Sequence, residues 1–182
     1  QAMSGAMAIT GTPGAPAKAA APYVDFSTAV LSAFGVLAAL IERDRSGRGQ
    51  HVQAALQATA LAVFGSHLIE QGVTGINRVG TGNRVQTSAP SDVFATQDGH
   101  VLTHVVGNGL FRRWVKLMCG ADTAAQKRWL DDPRLQDDAG RGEHSAEILA
   151  TMRRWCATRT THEAIAELEA AGLPRSEEHT SE

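Results

Sequence analysis

From Phe26 to Ile41 nearly every side chain is apolar or small, and one face does not account for the pattern. Phe26, Val30, Ala33, Phe34, Leu37, Leu40 and Ile41 recur at helical spacing. Leu31, Val36 and Ala38 fall elsewhere around the same cylinder. A helix apolar on more than one side belongs between layers, not on a surface. The spacing predicts a helix from Ser27 to about Arg45, with the charged "ERDR" turn at its solvated end. The unbroken apolar run, Ala29 to Ile41, is too short to span a bilayer and contains Ser32 and Gly35, so no membrane crossing is expected.

What precedes and follows this helix frames it. Residues 1–24 are rich in Gly, Ala and Pro and read as a short element and an extended loop. "SGRGQ" is a glycine turn that stops the helix. "HVQAAL" alternates Val52, Ala54 and Leu56 as a short strand would, and Ala58 to Gln71 reads as a second helix ending at Gly72. This order predicts an α/β layer over residues 1–72. A Gly/Asn/Thr/Ser-rich connection over 73–92 holds the expected linker, 73–89.

Residues 90–174 predict a small α+β domain. "SDVFATQDGHVLTHVV" reads as a hairpin around "QDG". One helix is expected to bury Leu110, Phe111, Trp114 and Leu117, and another Ile148, Met152 and Trp155. Thr160 and Glu163 are spaced as a capping box, and the helix they open should stop at Gly172. "RSEEHTSE", residues 175–182, resembles the in-frame translation of a sequencing-library adapter and is read as non-native. A start at Gln1 without a lead-in suggests a piece of a longer chain.

Charge and composition exclude several function classes. Lys and Arg number 17 and Asp and Glu 19, which argues against a basic nucleic-acid footprint. Aromatic residues make up 5%, too few for a base-stacking platform. Cys119 and Cys156 lack a CxxC partner and read as reduced thiols of a cytoplasmic protein.

Candidate chemistry is sparse. His100 and His104 would share a strand face about 13 Å apart at ~3.3 Å per residue, too far for one ion. "THEAIAE" lacks the second His of HExxH, so no metal site is expected. "RVGTGNR" holds GxG but no phosphate-loop signature, and reads as a loop needing positive φ. Arg43, Arg45 and Arg48 sit among Glu42 and Asp44, either as a solvated helix end or with one arginine on a phosphate.

Asp25 remains. Asp is a favoured N-cap, contributing about 0.5–2 kcal/mol to a helix. A carboxylate at a helix N-terminus meets unpaired N–H groups and the positive end of the dipole, which favour its ionised form. A nucleophilic carboxylate must be ionised, so cap and nucleophile are compatible roles.

The stretch "SGAMAITG...VDFSTAVLSAFGVLAALIERDRSGRGQHVQAAL" resembles the class III CoA-transferases, the group that includes formyl-CoA and carnitine-CoA transferases. "GNRVQTSAPSDVFATQDGHVL", "LFRRW", "DDPRL" and "TTHEAIAELEAAGLP" resemble the same family in the same order. The resemblance implies a Rossmann-like large domain followed by a small domain, in an interlocked homodimer. It places the catalytic carboxylate on Asp25 and brings Leu56 near the coenzyme A site. Acyl-CoA and a carboxylic acid are the implied substrates, with no permanently bound cofactor. The family segment carrying most CoA contacts would lie before Gln1, so the 182-residue chain is expected to be inactive. Relatives resembling α-methylacyl-CoA racemase use an Asp here as an acid/base, which leaves an isomerase as an alternative; an inert or dimerising piece is another. Two departures stand out. Only Gly80 and Gly82 answer the glycine run that closes over the site in some members, and Gln53 and Gln57 stand where many relatives carry Asp.

Overall fold

The computed structural model describes residues 1–178 and divides into two units, Gln1–Gly82 and Asn83–Glu182. In the first unit, α1 (Ala6–Ile9) leads into a ribbon of β1 (Gly11–Thr12) and β2 (Ala15–Pro16), then α2 (Tyr23–Ser46), α3 (Leu56–Val63) and α4 (Gly65–Thr74). The ribbon turns on Pro13 and Gly14 (φ +77°), and within β1 Gly11, at φ +96°, lies so close to β2 that a Cβ would meet the Ala15 carbonyl oxygen. Gly80 lies against the same strand, and a Cβ there would sit 2.9 Å from the Gly11 backbone. Gly82, at φ +68°, donates its N–H to the Gly11 carbonyl at 2.5 Å. The "GTG" segment therefore anchors the ribbon, as its need for positive φ at Gly82 suggests.

The long helix starts earlier than its apolar pattern predicts. Pro22 is its N-cap and Asp25 stands in the first turn, with no side-chain cap bond. The expectation that Asp25 caps the helix is thus corrected: the fixed φ of Pro22 suits a helix entry, and coiling has begun before the carboxylate is reached. Gly47, at φ 72°, ends α2 by donating its N–H to the Arg43 carbonyl at 2.8 Å.

Burial between layers is not what the described residues give α2. Val24 is its one buried residue among them, while Phe26 and Phe34 are 67% and 71% exposed. The α2–α3 packing covers too little of a helix that is apolar on several sides. With 24 residues and a mean hydropathy of 2.0 over its best window, α2 is also long and apolar enough to cross a bilayer by length and composition. The apolar run alone misses this because the helix extends beyond it at both ends. Core helices of soluble proteins pass the same test.

The strand expected at "HVQAAL" does not form: residues 51–55 are irregular and α3 begins at Leu56. Ala55 has extended dihedrals (φ −131°, ψ 133°), but an extended segment becomes a strand only beside a partner. Val52 instead packs on α2, its Cγ1 2.9 Å from where a Gly35 Cβ would stand. The single helix expected over 58–71 is two, broken at Phe64 (φ −91°, ψ 6°) ahead of Gly65, a poor helix former. α4 then ends at Gly75 (φ 73°) and not at Gly72. Beyond it, Arg78 folds back on α4 with a bidentate pair to Glu70, Nε–Oε2 2.9 Å and Nη2–Oε1 2.5 Å.

The second unit is an antiparallel sheet packed with helices. β3 (Ser91–Ala95) and β4 (His100–His104) pair around the "QDG" turn with Phe94 opposite Val101. Arg175–Glu178, the start of the segment read as non-native, forms β5 on the other edge of β4; residues 179–182 of that segment lie outside the described ones. The helices are α5 (Asn108–Cys119), α6 (Thr123–Leu130), a 3-10 turn Pro133–Leu135, α7 (Asp138–Glu143), α8 (Ser145–Ala157) and α9 (Thr161–Ala170). Every strand pair among the described residues is antiparallel. With its mixture of helix and sheet the chain belongs to the α/β class in the broad sense.

The expected core residues Phe111, Trp114, Ile148 and Met152 are buried; Leu110, Leu117 and Trp155 pack around them half-buried. Trp114 donates its indole N–H to Met152 Sδ at 3.4 Å and meets Trp129 edge-on at 5.5 Å. Cys156 lies in this core, and burial pushes its thiol up to about 11. Thr160 and Glu163 form the capping box their spacing predicts. Arg141, 1% exposed, donates to the Leu135 carbonyl, Asn108 Oδ1 and Asp138 Oδ1 at 2.9, 2.9 and 2.7 Å.

Candidate active site

Asp25 opens onto a cavity of about 440 Å³ within the first unit. Its walls come from four places. Val24 and Asp25 lie in the first turn of α2, and Leu56, Gln57 and Ala60 on the start of α3. Gln1 to Ser4 and Met7 come from the chain start, and Lys18 from the segment after β2. The structure thus brings together the two residues singled out from sequence, Asp25 and Leu56, on one cavity. Val24, Ala60 and Ser4 are the buried floor, and Leu56 is 52% exposed at the rim.

Burial of Val24 fixes the rotation of α2, and that rotation decides where Asp25 points. Its carboxylate makes no ion pair and no side-chain hydrogen bond among the described residues. It sits in the first turn, where free N–H groups and the aligned peptide dipoles favour a negative charge. A carboxylate that attacks as its anion needs no separate base to take a proton from it.

Lys18, which the sequence reading passed over, also lines this cavity. The signal was present: Lys18 and Asp25 are the only basic and acidic side chains before Glu42. Its backbone is held on both sides, by Ala17 N–H to the Thr10 carbonyl at 2.9 Å and Ala19 N–H to Gln1 Oε1 at 3.0 Å. Gln57 faces the cavity where the resemblance set Asp, so the lining keeps one acid.

The other candidates lie apart from this site. Arg43 is roughly 27 Å from Asp25 along α2 at ~1.5 Å per residue, and it pairs with Asp44 at 3.2 Å. Gly80 and Gly82 bind the ribbon and do not line the cavity. His100 and His104 are exposed on β4, and no group of three or more potential metal ligands occurs among the described residues.

The chain is similar to known CoA-transferases. The family model described as CoA-transferase family III matches residues 1–182. Succinyl-CoA–D-citramalate CoA-transferase of Chloroflexus aurantiacus is 32% identical over 182 residues, 100% of this chain and 44% of that protein. Succinate–glutarate CoA-transferase of Agrobacterium fabrum is 34% identical over 149 residues, 81% of this chain and 36% of that protein. Among solved structures, Rv3272 of Mycobacterium tuberculosis superposes with a TM-score of 0.77 at 26% identity, covering 98% of this chain and 45% of that one. A CAIB/BAIF family protein from Brucella suis gives 0.72 at 25% identity, covering 99% and 46%. The chain spans less than half the length of these relatives.

Proposed function

The chain belongs to CoA-transferase family III, and from that premise we propose that the whole protein moves coenzyme A from an acyl-CoA to a carboxylic acid, with Asp25 as nucleophile. The observation that carries the reading is the unpaired Asp25 carboxylate on a 440 Å³ cavity, a volume suited to a small substrate group.

The steps follow from carboxylate chemistry. Asp25 attacks the thioester carbonyl; the C–S bond breaks, giving a mixed anhydride and CoA thiolate. The thiolate attacks the aspartyl carbonyl, releasing the donor acid and leaving an aspartyl-CoA thioester. The acceptor carboxylate attacks that thioester, giving a second anhydride and free thiolate. Attack of the thiolate on the acceptor carbonyl completes the new thioester and restores Asp25. Each covalent stage divides one difficult exchange into easier displacements. CoA enters as substrate, and no bound cofactor is required.

Succinate, glutarate, mesaconate and D-citramalate, the acids in the names of several relatives, each carry two carboxylates. A dicarboxylic acid is therefore the substrate class we propose. On this reading the apolar surface of α2 is an interior surface of the whole protein, a Rossmann-like large domain in an interlocked cytoplasmic homodimer. The 182-residue chain alone is inactive. Incubating the full-length protein with acyl-CoA and hydroxylamine tests the intermediate. A hydroxamate on Asp25, located by peptide mass spectrometry, is expected; CoA transfer with no modification at Asp25 would overturn the reading.

A further inference from the structure

We propose that Lys18 selects the dicarboxylic acid, by pairing its ammonium with the carboxylate that does not react at Asp25. The proposal rests on the reading of Asp25 as nucleophile and deepens it. Three observations support it. Lys18 is the one cationic side chain lining the Asp25 cavity, whose other described walls are Asp25 itself and neutral side chains such as Met3, Met7, Leu56 and Gln57. Its ammonium makes no ion pair among the described residues. The backbone bonds of Ala17 and Ala19 tether the chain on either side of it, so its stem starts from an anchored point beside the cavity.

The chemistry follows. One carboxylate of a short diacid must reach Asp25 to form the anhydride. The other then lies along the cavity, within the lining that Lys18 shares with Asp25. An ammonium at the wall attracts the second charge of a diacid and offers nothing to a monoacid of the same length. Lys suits this task because its compact charge on a flexible stem tolerates different chain lengths. The phosphates of CoA are the other anions that a cation here could meet.

Ping-pong kinetics separate the two sources, because kcat/KM for the acceptor reports only the half-reaction in which the acceptor takes part. The full-length enzyme, loaded from succinyl-CoA, is compared with glutarate and with valerate, which has the same carbon count and one carboxylate. Lys18→Met is expected to lower kcat/KM for glutarate about tenfold to a hundredfold, chiefly through KM, and to leave valerate within twofold. Lys18→Arg restores most of the glutarate activity. If valerate is not turned over, its inhibition constant against glutarate replaces its kcat/KM and should be unchanged in Lys18→Met. An equal loss with both acids, as expected if Lys18 binds a CoA phosphate or only supports the fold, overturns the proposal, as does no loss with glutarate. Hydroxamate formation on Asp25 in the Lys18→Met enzyme keeps the nucleophile reading separate from this outcome.

Discussion

Lys18 and Asp25, the only charged side chains before Glu42, line the same cavity from opposite sides of the Pro22 helix entry. A long neutral stretch that holds one acid and one base has brought both to one place. Neither finds an ion-pair partner among the described residues.

If Asp25 is the nucleophile, Asp25→Asn removes it and keeps the shape. In the full-length enzyme it should lower kcat by roughly three orders of magnitude or more, as loss of a covalent nucleophile does, with an unchanged circular dichroism spectrum. Near-normal turnover would remove Asp25 from the mechanism.

The exposed face of α2 gives a second test. If Phe34, 71% exposed here, is interior in the whole protein, Phe34→Asp should abolish folding or assembly of the full-length protein. It should leave the helix content of the 182-residue chain intact. Gel filtration and circular dichroism of both forms check this, and flotation with liposomes checks the alternative that α2 enters a bilayer.

Acid should loosen the joint between the β3–β4 turn and α9. The Thr161 N–H and hydroxyl, donating to Asp98 at 2.7 and 2.9 Å, hold its carboxyl below the usual range. The Thr160 N–H does the same for Glu163. Both folded values are depressed, so their stabilisation is present above the unfolded carboxylate range, about pH 4, and is lost as pH falls through the lowered values. Asp98→Asn should therefore melt lower than wild type at pH 7, and the two should converge below pH 3. Thr160→Ala should cost about 1 kcal/mol at neutral pH by chemical denaturation.

Trp114 is fully buried and touches both Met152 and Trp129. Trp114→Ala should cost about 3–5 kcal/mol in urea unfolding of this unit. His100→Ala, on the exposed face of β4, should change stability by no more than about 0.5 kcal/mol.

Much of the second unit was legible because its signals are local. The "QDG" hairpin, the Thr160–Glu163 box and the Phe111/Trp114 and Ile148/Met152 spacings each specify geometry within a few residues. The first unit was harder to read for the same reason. Alternation at "HVQAAL" suggests a strand, but a strand exists only beside a partner. Apolar periodicity in α2 gives the helix but not what covers it. The sequence by itself determined the long helix and its Gly47 stop, the helices around Phe111, Ile148 and Thr161, and the presence of one acid in a long apolar stretch. Only the tertiary structure decided that Asp25 is not a cap, that Leu56 lines one cavity with it, and that Lys18 shares that cavity. The reason is physical: propensity and capping act over one helical turn, whereas the facing of a side chain is set by which residues of distant segments, here Val24, Ala60 and Ser4, are buried together.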